Sequence, residues 1–176
     1  AYWAVEAPRL AVAEARAAFG AAVLLATTQF DAAHLPAGTG AVANGVSLLP
    51  PGPVDRARVV AFTGRLMYRP NLLAARRLLR DIWPRVRRAV PDAHLLVGGA
   101  DAPDELRSFE GRDGIEVVSP VPDMAVFLRK ARVVVAPMEL GTGTPNKVFE
   151  AFEAGAAVVA SPGVIAGLGI ATPAGV

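Results

Sequence analysis

The chain has 176 residues, 53% of them hydrophobic and 19% charged, with a formal net charge of +2. That composition supports a packed core and excludes a disordered tail, and a charge this close to zero makes no demand for nucleic acid. Cysteine is absent, which excludes a disulfide framework, a thiolate metal site and a cysteine nucleophile, and two histidines, His34 and His94, are too few for a transition-metal cage.

The first 49 residues are irregular. Residues 1–19 are alanine-rich and read as a helix broken by Pro8. The run 22–26 suits a short buried strand, residues 31–35 a helical turn, and residues 41–43 a second strand closed by Asn44 and Gly45. Three prolines and a glycine then fall within Leu49-Pro-Pro-Gly-Pro53, a composition that can neither continue a helix nor donate to a sheet. We read residues 50–57 as a linker between a partial first domain, 1–49, and a second domain, 58–176.

Beyond the linker the pattern is regular. Strands are expected at 58–62, 94–97, 115–118, 132–136 and 157–160, and helices at 71–90, 103–109, 124–130 and 145–154. The long helix has apolar residues at a 3.6 period and arginines on its other face, with Pro84 expected to kink it. Eight arginines fall between Arg65 and Arg88, whereas Lys130 and Lys147 are the only lysines. Arg76, Arg77, Arg80, Arg85, Arg87 and Arg88 read as a solvated face; contact with acidic lipid is the other use for them. Alternating strands and helices with continuously apolar strands give an α/β fold, a Rossmann-like doubly wound parallel sheet. Ligands then sit at the carboxyl ends of the strands, where glycines crowd this sequence. No apolar run reaches the roughly 20 residues of a spanning helix and no signal peptide opens the chain, so the expectation is a cytoplasmic protein.

Gly141-Thr-Gly-Thr-Pro-Asn-Lys-Val-Phe-Glu150 is the most informative stretch. Thr144 is a fitting N-cap and Pro145 a favoured first helical residue. Free N–H groups at such a start favour an anion. Lys147 in the first turn opposes the helix dipole, an arrangement that makes sense if a phosphate bridges the two. Glu150 shares a face with Lys147 and is placed to accept from ribose hydroxyls. An ordinary exposed Lys147–Glu150 pair is the other reading. Gly64-Arg65 after the first regular strand is a second candidate, since an arginine there can reach a diphosphate bidentately. Glu139 reads as a loop charge. Neither a dinucleotide-binding glycine fingerprint nor a P-loop is present, and no Asp-x-Asp triplet occurs.

Phe62-Thr-Gly-Arg-Leu-Met-Tyr-Arg-Pro-Asn71, Pro91-Asp-Ala-His-Leu-Leu-Val-Gly98, Val118-Ser-Pro-Val-Pro-Asp123 and Ala136-Pro-Met-Glu-Leu-Gly-Thr-Gly-Thr-Pro-Asn-Lys-Val-Phe-Glu-Ala151 occur in that order. This set resembles the donor half of a GT-B retaining glycosyltransferase of the GT4, or glycosyl transferases group 1, type. It is most similar to the sugar transferases of exopolysaccharide and PEP-CTERM systems. Asn44-Gly45-Val46 resembles the signature between that family's two domains.

The resemblance implies a fragment: a C-terminally incomplete donor-binding domain with a remnant of the acceptor domain, not competent by itself. It implies transfer of a sugar from a nucleotide-diphosphate sugar to a lipid-linked or polysaccharide acceptor, with no metal or other cofactor and no nucleic acid partner. The enzyme would work in the cytoplasm, with peripheral contact at the inner face of the plasma membrane. Arg65 and Lys147 would hold the diphosphate, with Gly64 beside them, and Glu150 the ribose. Thr142, Gly143 and Thr144 would face the sugar and phosphates, and Val121 the base. Two departures stand out. The family's Glu-x7-Glu pattern has Thr142 in place of its first glutamate, and Pro70 occupies the position of a frequent lysine. The rival readings are a sugar-nucleotide epimerase of the same architecture and a non-catalytic nucleotide-binding α/β domain.

Overall fold

Short valine- and leucine-rich segments ending in glycine or small residues build the main sheet. The computed structural model describes residues 2–42, 45, 57–139 and 146–168. Strands β3 (Val59–Thr63), β4 (His94–Gly98), β5 (Ile115–Val118), β6 (Val133–Ala136) and β7 (Ala157–Ala160) lie in the order β5-β4-β3-β6-β7, every pair parallel. The chain enters in the middle at β3, winds outward to β5, returns to the other side of β3 with β6, and ends on β7. The order reverses between β3 and β6. In open parallel sheets the crevice outside the carboxyl ends of two such strands is the ligand site.

Side chains alternate between the two faces, as the period of a strand requires. Phe62, Leu95 and Val97 join Leu78, Leu79 and Trp83 in a cluster on one face. Ala61 and Leu96 join Phe127, Leu128, Val134 and Ala151 on the other. The first face is covered by α3 (Arg69–Arg77), α4 (Trp83–Ala89) and α5 (Asp104–Arg107), the second by α6 (Met124–Arg129) and α7 (Asn146–Glu153).

The helix expected over 71–90 is present but divided. Between α3 and α4 the five residues Leu78–Ile82 form a π-helical segment, and the Trp83 N–H bonds to the Leu78 carbonyl five residues back. Pro84 brings no N–H of its own, so the wider turn falls directly ahead of it. Trp83 is buried there, its indole N–H donating to the Asp113 carbonyl at 3.0 Å. Of the six arginines of that face, Arg77, Arg80, Arg85 and Arg88 are exposed, as expected, and Arg76 and Arg87 are half-buried. Arg76 donates through Nε to both oxygens of Glu105 at 3.0 and 2.9 Å, Arg77 pairs with Glu139 at 2.7 Å, and Arg87 bonds to the Ala93 carbonyl.

Two further differences from the sequence reading are local. α1 (Tyr2–Phe19) runs unbroken through Pro8; its alanines, the strongest helix formers, carry it past the missing N–H. α8 (Pro162–Gly167), which is not among the expected helices, follows Ser161, with proline at the first helical position where its fixed φ fits. Before the linker, β1 (Leu25–Ala26) and β2 (Gly40–Ala41) form a separate two-stranded parallel pair around α2 (Gln29–Ala33), which Thr28 caps by accepting from the Asp31 N–H at 2.9 Å.

Candidate functional site

The carboxyl end of β3 turns sharply. Gly64 has φ +150° and Gly99, at the end of β4, has φ +151°. A Cβ on Gly99 would lie 1.8 Å from the Gly64 carbonyl oxygen, and one on Gly64 would lie 2.7 Å from the Asn71 amide nitrogen. Glycine at both positions is therefore a requirement of packing as well as of backbone conformation. The Gly64 N–H donates to the Gly98 carbonyl at 3.1 Å and the Leu66 N–H to the Ala100 carbonyl at 2.8 Å, which fixes the turn against the neighbouring strand. Thr63, the last residue of β3, is buried, and its hydroxyl has no partner among the described residues.

Arg65 leaves this turn outward. Its Nε donates to an Asp101 carboxylate oxygen at 2.8 Å, with the two side chains 75% and 49% exposed. Asp101 itself has φ +58°, a left-handed conformation that aspartate tolerates better than most residues. The Arg65 backbone carbonyl accepts from the Tyr68 N–H at 3.1 Å and from Asn71 Nδ2 at 3.0 Å.

Asn71 lies in the first turn of α3 and is only 7% exposed. Its Oδ1 accepts from the Lys147 ammonium at 2.7 Å. Lys147 is the second described residue of α7, on the opposite face of the sheet from α3. Its Nζ sits 4.9 Å from the centre of the Phe62 ring, over a π-face that attracts a cation. Burial pushes the ammonium from its ordinary 10.5 down to about 8, opposed by the Glu150 carboxylate one turn along, which favours the charged form. A lysine held this way keeps ionisable charge in a poorly solvated place, and an anion arriving beside it would restore its full proton affinity.

The structure thus brings together Gly64, the Arg65 backbone, Lys147 and Glu150 at the reversal between β3 and β6. Val121 follows β5 at the sheet edge, half-buried against the second cluster, just after a cis Ser119–Pro120 bond. Thr142, Gly143 and Thr144 lie outside the described residues, as do Asn44 and residues 46–56. Glu139, next to that segment, is held by Arg77. Cavities of about 490 and 450 Å³ flank this ion pair, the larger one walled by Leu78, Ile82, Met138 and Val159; Gly64, Arg65 and Lys147 line neither. Among the described residues, no group of three or more acidic or histidine side chains could hold a metal ion, and no helix is long and apolar enough to cross a membrane. Sequence reasoning missed Asn71 and Asp101. An asparagine inside a helix, where its propensity is poor, and an aspartate directly after Gly98-Gly99-Ala100 were the available signals.

Comparison with known proteins gives a consistent answer. The family model described as glycosyl transferases group 1 matches residues 57–171. Among solved structures, S. aureus TarM in complex with fondaparinux, α-GlcNAc-glycerol and UDP aligns with a TM-score of 0.64 at 14% identity, over 78% of this chain and 29% of that one. Anabaena Alr3699/HepE in complex with UDP and glucose aligns with a TM-score of 0.63 at 18% identity, over 83% and 46%. The pneumococcal O-GlcNAc transferase GtfA in complex with UDP and GlcNAc aligns at 0.57 and 12%, over 78% and 29%. This chain therefore spans less than half the length of the structures it matches. Comparison with curated proteins gives no match. With the family model covering the whole main sheet, and that sheet having the GT-B arrangement, the chain belongs to the glycosyl transferases group 1 family.

Proposed function

We propose that this chain is the donor-binding part of a retaining glycosyltransferase that moves a sugar from a nucleotide-diphosphate sugar to a polysaccharide or lipid-linked acceptor. Lys147 and Arg65 take the diphosphate, with Gly64 allowing close backbone approach. The start of α7, with Thr142, Gly143 and Thr144 ahead of it, faces the sugar and phosphates. Glu150 takes the ribose and Val121 the base.

The observation that carries this reading is the half-burial of Lys147 at the β3–β6 reversal, tied through Asn71 to the turn that bears Arg65. A cation kept there with no carboxylate in hydrogen-bond contact among the described residues is a site prepared for an incoming anion. The UDP bound in the HepE and GtfA structures supports the same class of ligand.

The chemistry follows from charge. When the sugar–phosphate bond breaks, negative charge grows on the departing diphosphate. Fixed cations and helix N–H groups aimed at it stabilise that state more than the intact donor. Arg65 exchanges Asp101 for the diphosphate, and with Lys147 it supplies the neutralisation that a metal ion would otherwise give. The acceptor is bound by parts of the enzyme that this chain does not hold. The test is transfer of radiolabelled sugar from a nucleotide-diphosphate sugar by the protein carrying this chain. Transfer that is lost in Lys147→Ala supports the reading. Full transfer by that variant contradicts it.

A further inference from the structure

Asn71 belongs to no part of the reading above, yet it is one of only two buried polar residues among those described, the other being Thr63. Both ends of its amide are used. Oδ1 accepts from Lys147 Nζ at 2.7 Å and Nδ2 donates to the Arg65 carbonyl at 3.0 Å. The opposite orientation of the amide would set an NH2 against an ammonium and an oxygen against a carbonyl, so the network itself fixes it. The contact joins the first turns of two helices on opposite faces of the sheet, α3 and α7, across the carboxyl end of β3.

We propose that Asn71 is the positioning residue for Lys147: it holds the ammonium against the Gly64–Arg65 turn so that both meet one diphosphate. This rests on the donor-site reading given above. Side-chain chemistry makes the position exacting. Aspartate has the right length but no donor for the Arg65 carbonyl. Glutamine has both groups but an extra methylene, where the amide already fills the space that a Cβ on Gly64 would take. Leucine would take from the half-buried ammonium its hydrogen-bond partner and leave the Arg65 carbonyl with the Tyr68 N–H alone. Lys147 has three N–H donors; Asn71 takes one, and the Phe62 face lies on another side. The bond to Asn71 leaves the other N–H groups of Lys147 to serve an anion.

The experiment uses the protein that carries this chain and two readouts. Calorimetric titration with UDP and with uridine separates diphosphate from nucleoside recognition. NMR titration of the Lys147 side chain reads the ammonium without ligand, with Glu150 the other charge facing it. Asn71→Ala is expected to weaken UDP binding roughly tenfold while leaving uridine unchanged, and to lower the midpoint of the Lys147 titration. In Asn71→Ala/Lys147→Ala the loss should equal that of Lys147→Ala alone, because the two act as one unit. Asn71→Asp, which keeps the size of the side chain and covers the case in which alanine unfolds the protein, should raise the Lys147 midpoint and still weaken UDP selectively. An unmoved Lys147 midpoint, or losses that add in the double variant, overturns the proposal. Unchanged UDP affinity in Lys147→Ala is a different failure: it removes the donor-site reading, whatever Asn71 does to the lysine.

Discussion

Lys147 Nζ and Asn71 Oδ1 are 2.7 Å apart although 76 positions separate the two residues in the chain. The bond crosses the sheet at the strand pair where its winding reverses, and it converts a lysine at a helix start, electrostatically awkward by itself, into a fixed cation beside a glycine turn. Several measurable consequences follow from that arrangement.

The first concerns pH and stability. Burial lowers Lys147 to about 8 in the folded protein against 10.5 in the unfolded chain. Between those values the unfolded state binds more protons, so stability rises with pH there and is flat from this source below about 8. Urea denaturation from pH 7.5 to 10.5 should show that rise in the unliganded protein. Lys147→Met should remove it, having no proton to lose. A Lys147→Met variant with the parent's pH dependence would count against the burial of the charge.

Ligand binding should run the other way. A diphosphate beside Lys147 favours the ammonium, so UDP binding above pH 8 takes up protons. Calorimetry at pH 8, where the uracil ring keeps its proton, in buffers of different ionisation enthalpy should give enthalpies that differ in proportion, whereas uridine should give none of that dependence. UDP affinity should fall as pH is raised through 8 to 10.

The Arg65–Asp101 pair competes with the ligand. Both side chains are largely exposed, so the pair contributes little to stability. Asp101→Asn keeps a residue tolerant of the left-handed backbone and frees the guanidinium. UDP affinity should increase by up to about fivefold, with the thermal midpoint within a degree or two of the parent. Weaker UDP binding in that variant would show that Asp101 helps the site instead of masking it.

The two glycines give a graded test. Gly99→Ala places its Cβ 1.8 Å from the Gly64 carbonyl oxygen, whereas Gly111, at φ +74°, has nothing within 4 Å of an added Cβ. Gly111→Ala should lose only the backbone strain, roughly 1–3 kcal/mol. Gly99→Ala should lose that and about 1–3 kcal/mol more from overpacking, and should take UDP binding with it because the Gly64 turn must move. Urea midpoints of the two variants, measured together, decide it; equal losses would mean that the close approach of the two strand ends is relaxed in solution.

The main sheet was legible because its signals are local. Val59–Thr63, His94–Gly98, Ile115–Val118, Val133–Ala136 and Ala157–Ala160 are short apolar runs closed by glycine or other small residues, and their alternation with helical segments allows few other architectures. The π segment at Leu78–Ile82 was signalled by Pro84, but only as a kink, since periodicity does not say how a helix absorbs a missing N–H. α8 was hidden because Pro162 and Gly163 carry the same turn signal whether a helix follows or not. At the site, Lys147 and Glu150 were legible from their spacing along one helix. Asn71 was not, because its meaning lies in contacts to the Arg65 carbonyl and to Lys147, which only the packing of α3 and α7 on opposite faces brings within reach. Asp101 was missed for the same reason: its partner Arg65 lies on the neighbouring strand end.

On the reading proposed above, half-buried Lys147 at the β3–β6 reversal recognises a diphosphate. Calorimetric titration of UDP and of uridine into the parent chain and Lys147→Ala at pH 7 tests it most directly. The account predicts that the variant loses most of its UDP affinity and keeps its uridine affinity. Equal losses for both ligands, or none for UDP, would contradict it.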